Sequence, residues 1–129
     1  VRTQCKASQG ERMSISIVGF DSAWCRGKAG AICAIGIDAG GNAKLEAPRV
    51  ASFQDALAFI DNQRQLFRKC LVAIDQPTIV PNETRMRQVE RVVASVISYA
   101  GGGVQPAFRR RLGLFGDDAP IWEFKRTLG

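Results

Sequence analysis

The chain has 129 residues, 46% of them hydrophobic and 23% charged, with a formal net charge of +6 and no histidine. Those values predict one globular domain with its own hydrophobic core, too short for two ordinary domains. They exclude Ser-His-Asp and Cys-His catalysis, and no apolar run approaches the ~20 residues of a membrane-spanning helix, so no membrane partner is expected.

Residues 1–12, "VRTQCKASQGER", are polar and patternless, and they read as a leader or vector-derived segment ahead of a domain over 13–129. The leader holds no apolar stretch and so is not a secretion signal; a cytoplasmic location is expected. From Met13 onward there are 15 basic against 11 acidic residues, a balance compatible with binding a polyanion such as nucleic acid.

Ile15 to Phe20 reads as a strand ending at Asp21. "GAICAIGID" (Gly30 to Asp38) reads as a second strand, too apolar for an exposed edge, and Ala43 to Val50 as a third after the turn "AGGN". "SFQDALAFIDNQRQLF" has the helical period, with Phe53, Leu57, Ile60 and Phe67 on one stripe, Ala56 and Phe59 beside it, and a capping box of Ser52 with Asp55. Leu71 to Ile74 is a short continuous apolar run, the pattern of a parallel strand covered on both faces. Arg85 to Ala100 predicts a helix that buries Met86, Val89, Val92, Val93, Val96 and Ile97. "GGGVQPAFRRR" is a loop, and "DDAPIWEFKRTL" a last helix with Asp117 or Asp118 as N-cap and Pro120 in its first turn.

The order β-β-β-α-β-α-loop-α is that of an α/β, ribonuclease H-like fold: three antiparallel strands, a crossover helix, then a parallel fourth strand against the first. Open α/β sheets bind ligands where strand order reverses, and two strands deliver an aspartate there, Asp21 and Asp75. Paired carboxylates suit a hard cation, Mg²⁺ or Mn²⁺. Each acid also has a plain structural reading. Asp21 is equally a cap for the turn "DSAW" and Asp75 an Asx turn before Gln76-Pro77. Glu90, a third candidate acid, is equally a partner of Arg87 on the polar side of its helix. Arg85, Arg87 and Arg91 at the start of that helix, and Arg109, Arg110 and Arg111 in "FRRR", are candidates for holding phosphates, or solvated basic surface. Trp24 and Trp122 read as packing residues, and Cys33 and Cys70 as small core residues. Without a CxxC pair or histidine a structural zinc site is not expected.

From Met13 the sequence resembles a domain-of-unknown-function family classed as predicted RNase H-like nucleases. The matching stretches are "VGFDSAW" (Val18 to Trp24), "VAIDQPTIVPNETRMRQVER" (Val72 to Arg91), "GGVQPAFRRR" (Gly102 to Arg111) and "LFGDDAPIWEF" (Leu114 to Phe124). The resemblance implies a ribonuclease H-like fold and a metal-dependent nuclease or phosphodiesterase activity on nucleic acid. Members of that family run further, with another strand, another helix and a late acidic position. The chain is therefore expected to be a fragment, a truncated form, or a subunit of a homo-oligomer in which a partner copy completes the fold. The competing expectation is a non-catalytic nucleic-acid- or protein-binding module that keeps the fold with an incomplete acidic site. An ATP site of the related sugar-kinase kind ranks low, because "DSAWCRGKAG" supplies only Gly27 and Gly30 after the first aspartate.

Overall fold

Strand β1 (Met13–Asp21) alternates strictly: Ser16, Val18 and Phe20 are buried on one face, while Ile17 and Asp21 are exposed on the other. It pairs antiparallel with β2 (Gly30–Ile37), and β2 pairs antiparallel with β3 (Ala43–Ala51). The computed structural model describes residues 13–129, and the leader read over 1–12 lies outside the described residues. Between β2 and β3 the chain reverses on the Asp38 carboxylate, which accepts from the Asn42 amide N–H at 2.8 Å and from Asn42 Nδ2 at 2.9 Å. These bonds, the side-chain one foremost, hold the Asp38 carboxyl below the usual carboxylate range. Gly41 supplies the left-handed residue that the turn needs, at φ +82°.

Helix α1 (Phe53–Leu66) opens with the expected capping box. Ser52 Oγ accepts from the Asp55 N–H, and the Asp55 carboxylate accepts from the Ser52 N–H and hydroxyl. The helix lays Ala56, Phe59, Ile60 and Gln63 against the sheet and returns the chain to β4 (Phe67–Ile74), which runs parallel to β1. The result is an α/β fold with a mixed sheet of four strands in the order β3-β2-β1-β4. After β4 come α2 (Gln88–Ile97), a 3₁₀ turn over Ser98–Ala100, the single turn α3 (Leu112–Phe115) and α4 (Pro120–Leu128). No helix among the described residues is long and apolar enough to cross a membrane.

The main core lies under one sheet face, where Val18, Phe20, Ile32 and Ala34 meet Phe59 and Ile60 of α1 and Ile121 and Phe124 of α4. Phe20, Phe53 and Phe124 form an aromatic trio with centroids 5.3 to 5.6 Å apart. A second, smaller cluster joins Val80, Ala107 and Phe115 with Trp24, Leu114 and Trp122.

Several expectations differ from the structure: Phe67 belongs to β4 rather than to the α1 stripe, and the helix read over Arg85 to Ala100 begins at Gln88 and gives way to the 3₁₀ turn after Ile97. The apolar run Leu71 to Ile74 is not covered on both faces: α1 and α4 lie on one side only, and Leu71 is 57% exposed. The α2 stripe is also open, with Val89, Val92, Val93 and Val96 exposed, and the one buried residue of α2 is the charged Glu90. Burial of that carboxylate turns the helix the opposite way from its hydrophobic period. Finally, α4 is N-capped by Ala119 with no side-chain bond: Asp117 is engaged by Arg109, and Asp118 stands one residue ahead of the cap position.

Phe124, 1% exposed between two phenyl rings, carries the contact of α4 with the sheet. Phe124→Ala is expected to lower the unfolding free energy by about 3–5 kcal/mol, read from urea denaturation with an unchanged m-value.

Candidate functional site

The C-terminal ends of β1 and β4 lie side by side because their parallel register pairs Phe20 with Ile74 and continues one step beyond. There Asp75 N–H donates to the Phe20 carbonyl at 2.9 Å. Asp21 and Asp75 therefore leave adjacent strands, which stand about 4.8 Å apart in any sheet. Both acids are exposed and fall on the open face, opposite the helices. They stand at the edge of a depression of about 470 Å³ whose floor is made of small residues, Gly19, Ala31, Cys33 and Ala73.

Local contacts fix both aspartate turns. At Asp21 the constraint is steric: a Cβ on Gly30 would lie 1.9 Å from the Asp21 carbonyl oxygen, so the start of β2 closes on this turn only with glycine there. At Asp75 the constraint is a set of hydrogen bonds. Ser22 Oγ donates to Gln76 Oε1 at 2.5 Å, and both side chains are buried. Gln76 Nε2 donates to the Leu114 carbonyl, at 3.4 Å, and Trp24 Nε1 to the Asp75 carbonyl, at 2.8 Å. Trp24 takes a left-handed backbone, φ +64°, and its ring packs edge-on against Phe115 with centroids 5.7 Å apart. A bulky residue in that region costs about 1–2 kcal/mol, which the surrounding contacts must offset.

Glu90 is not brought to this pair. Its side chain is 5% exposed, and its oxygens accept from Arg87 N–H and Nε at 2.8 Å each and from the Ala107 N–H at 3.1 Å; the Arg87 terminal nitrogen lies 2.8 Å away. It therefore ties the first turn of α2 to the loop before α3. Its task in the structure is internal: a carboxylate taken from water and repaid with four donors.

The six arginines divide. Arg87 is held by Glu90 and the Ile79 carbonyl, and Arg109 pairs with Asp117 while lying 5.0 Å over the Trp122 ring. Arg111 donates to the Pro106 carbonyl at 2.9 Å and lies over Phe108. The guanidinium groups of Arg85, Arg91 and Arg110 are exposed and have no partner among the described residues. Arg85 also has a left-handed backbone, φ +66°, held by its carbonyl accepting from Asn82 Nδ2 at 2.7 Å. The Arg109 and Arg110 amides donate to the Asn82 and Glu83 carbonyls, so the loops of Arg85 and Arg110 are joined by backbone bonds.

Gly30, Ser22, Gln76 and Trp24 all support the aspartates, and sequence reasoning singled out none of them for it. The residues "DSAW" gave turn chemistry without a conformation, and Gln76 figures there only as the neighbour of Asp75 in an Asx turn. Cys33 was expected in the core; its half-buried thiol instead faces the depression, whereas Cys70 packs against the core. Burial pushes the Cys70 thiol up, and Cys25, Cys33 and Cys70 are all free.

Comparison with protein-family models, with curated proteins and with solved structures gives no match to the chain.

A cation at this edge would take Asp21 and Asp75 as its protein ligands; hard cations of the Mg²⁺ or Mn²⁺ kind take oxygen ligands, keep several waters and commonly bind through one or two carboxylates plus substrate phosphate. Among the described residues no group of three or more His, Cys, Asp or Glu is placed to hold a metal.

Removing the Glu90 charge leaves the half-buried Arg87 beside a neutral amide that cannot accept on both of its ends. Glu90→Gln is expected to cost about 3 kcal/mol of stability, seen as a lowered urea midpoint. An unchanged midpoint would show that the carboxylate charge contributes nothing there.

Proposed function

We propose that the chain is a Mg²⁺- or Mn²⁺-dependent phosphodiester hydrolase of ribonuclease H-like fold that acts on nucleic acid. One observation carries this reading: two parallel neighbouring strands deliver Asp21 and Asp75 side by side to the edge of one open depression. The strand order β3-β2-β1-β4 supports it, since β4 crosses over to lie beside β1, and both acids leave carboxyl ends of strands at that junction. The stretches that resemble predicted RNase H-like nucleases contain both aspartates and, of their supports, Ser22, Trp24 and Gln76.

Asp21 and Asp75 are the residues that would hold the cation, their exposure leaving its other positions to water and to a phosphate oxygen. When bound, such a cation supplies Lewis-acid polarisation of the phosphoryl group and neutralises its developing charge. The small-residue floor lets a sugar or base approach the sheet without a side chain in the way. Arg85, Arg91 and Arg110, uncommitted within the described protein, supply positive charge for flanking phosphates.

A second reading, a nucleic-acid- or protein-binding module without catalysis, is favoured by the internal commitment of Glu90, which leaves two acids at the site.

The metal site is tested by thermal melting in Mg²⁺ and Mn²⁺. Wild-type protein at 100 times its dissociation constant gains about 2.7 kcal/mol, roughly 10 °C for a chain of this size, and Asp75→Asn loses that gain. Equal responses of the two proteins would overturn the assignment. Cleavage of single-stranded, duplex or hybrid substrates separates the hydrolase from the binding module, which binds without cleaving.

The arginine assignment predicts a graded salt effect. Each of Arg85→Ala, Arg91→Ala and Arg110→Ala flattens the slope of log affinity against log salt by about one unit for every phosphate contact removed. Arg111→Ala, whose guanidinium is turned onto Pro106, leaves the slope unchanged; filter binding at several salt concentrations reads both.

A further inference from the structure

We infer that Trp24 is a positioning residue for Asp75, fixing the spacing of the two backbones from which the carboxylates project through a conformation that the surrounding contacts hold in place. The inference rests on the proposed reading of Asp21 and Asp75 as a cation-binding pair. Trp24 lies three residues after Asp21, so its backbone belongs to the Asp21 turn, while its indole N–H donates 2.8 Å to the carbonyl of Asp75 itself. One side chain thus spans the two turns that carry the acids.

The residue type and the conformation conflict, and that conflict is informative. A left-handed backbone is readily taken by glycine or asparagine and rarely by a bulky aromatic, yet Trp24 stands there at φ +64°. Three contacts hold it: its own N–H donates to Ser22 Oγ at 3.3 Å, its ring meets Phe115, and its indole N–H meets Asp75. Ser22 in turn donates to Gln76, the neighbour of Asp75. The indole and the Ser22–Gln76 pair are therefore two parallel bridges between the same turns. A turn made only to reverse the chain needs neither a tryptophan nor a bond to the far aspartate. A cation held by two carboxylates binds more tightly when their backbones are spaced before it arrives, because each ordering step it must perform weakens binding.

Trp24→Phe keeps a ring against Phe115 and deletes the N–H. Site-specific replacement of Trp24 by 3-benzothienylalanine deletes the N–H with nearly unchanged shape and guards against a folding defect. Mn²⁺ affinity is measured by calorimetry in wild type, in both Trp24 variants, and in Ile60→Val, a destabilising control in the main core, which Trp24 does not join. Both Trp24 variants are expected to bind Mn²⁺ about ten-fold more weakly than wild type, while Ile60→Val lowers the melting temperature and keeps wild-type affinity. In ¹⁵N-labelled wild type, Mg²⁺ shifts the Trp24 indole cross-peak and not that of Trp122, whose N–H donates to the Gly116 carbonyl. Wild-type affinity in the Trp24 variants overturns the positioning role and leaves the cation site standing. A parallel loss in Ile60→Val also overturns it, by showing that stability alone sets affinity. Absence of Mn²⁺ binding in wild type overturns the cation site, and the positioning role falls with it.

Discussion

The parallel pairing of β1 with β4 is the constraint on which the rest of the structure depends. It cannot form locally: β4 reaches β1 only after the chain has built two antiparallel strands and crossed the sheet through α1. The crossover is fastened by more than apolar burial. Gln63, 2% exposed on α1, accepts from Ser16 Oγ at 2.8 Å in the middle of β1 and donates to Glu46 of β3 at 2.8 Å. A buried amide satisfied on both ends selects one helix position over others that an apolar contact would tolerate, since a displaced helix would leave those groups unpaired. That position brings the chain into register at Met13–Phe67, and every later pair follows to Phe20–Ile74. The adjacency of the two aspartates is thus a consequence of a register set at the far end of the strands.

The sheet then has two unlike faces. One is packed by α1 and α4. The other carries Ile17, Ile35 and Leu71 in a single row across β2, β1 and β4, with the aspartate depression at its end. Behind the aspartates stands the smaller cluster of Val80, Ala107 and Phe115, too small for burial alone to order the loops around it. Polar groups take over there. Asn82 Nδ2 faces the carbonyls of Thr84, Arg85 and Ala107, and Glu90 receives the Ala107 amide from the opposite side. Two side chains from different segments therefore converge on one loop residue, and the segment carrying Arg109 and Arg110 inherits its place from them.

Legibility in the sequence followed the range of the interaction. Strands β1 to β3, the capping box at Ser52 and the span of α1 are written in period-2 and period-3.6 patterns and in local hydrogen-bonding residues, and they stand where those patterns put them. The placement of β4 beside β1 followed from element order. What the patterns could not carry was the environment. Leu71 to Ile74 reads as doubly covered because continuous apolar runs usually are, but coverage depends on where helices pack, and both packed on one side. The α2 period is strong, yet Glu90 turned the helix, because a carboxylate with four donors outweighs a stripe of valines that found no neighbour among the described residues. The aspartates were legible from their place after apolar runs. Their supports were not, since φ +64° at Trp24 and the approach of Gly30 to Asp21 are properties of three dimensions.

On the proposed reading, exposure of the two carboxylates has a consequence for how the site would be filled. In a water-rich environment a pair of charges a few ångströms apart is worth only about 1–4 kcal/mol, so two exposed aspartates alone hold a hydrated cation weakly. A nucleic-acid phosphate adds a further charged oxygen ligand and, lying over the small-residue floor, displaces water from one side of the depression. Cation and phosphate would then each raise the affinity of the other, by thermodynamic reciprocity. Rigid spacing matters most in such a site, because with few ligands there is little binding energy to spend on bringing them together. That links the contacts behind the aspartates to the chemistry in front of them: the fewer the acids, the more each must be held in advance by the protein, and Gly30, Gln76 and Trp24 are where this chain does so.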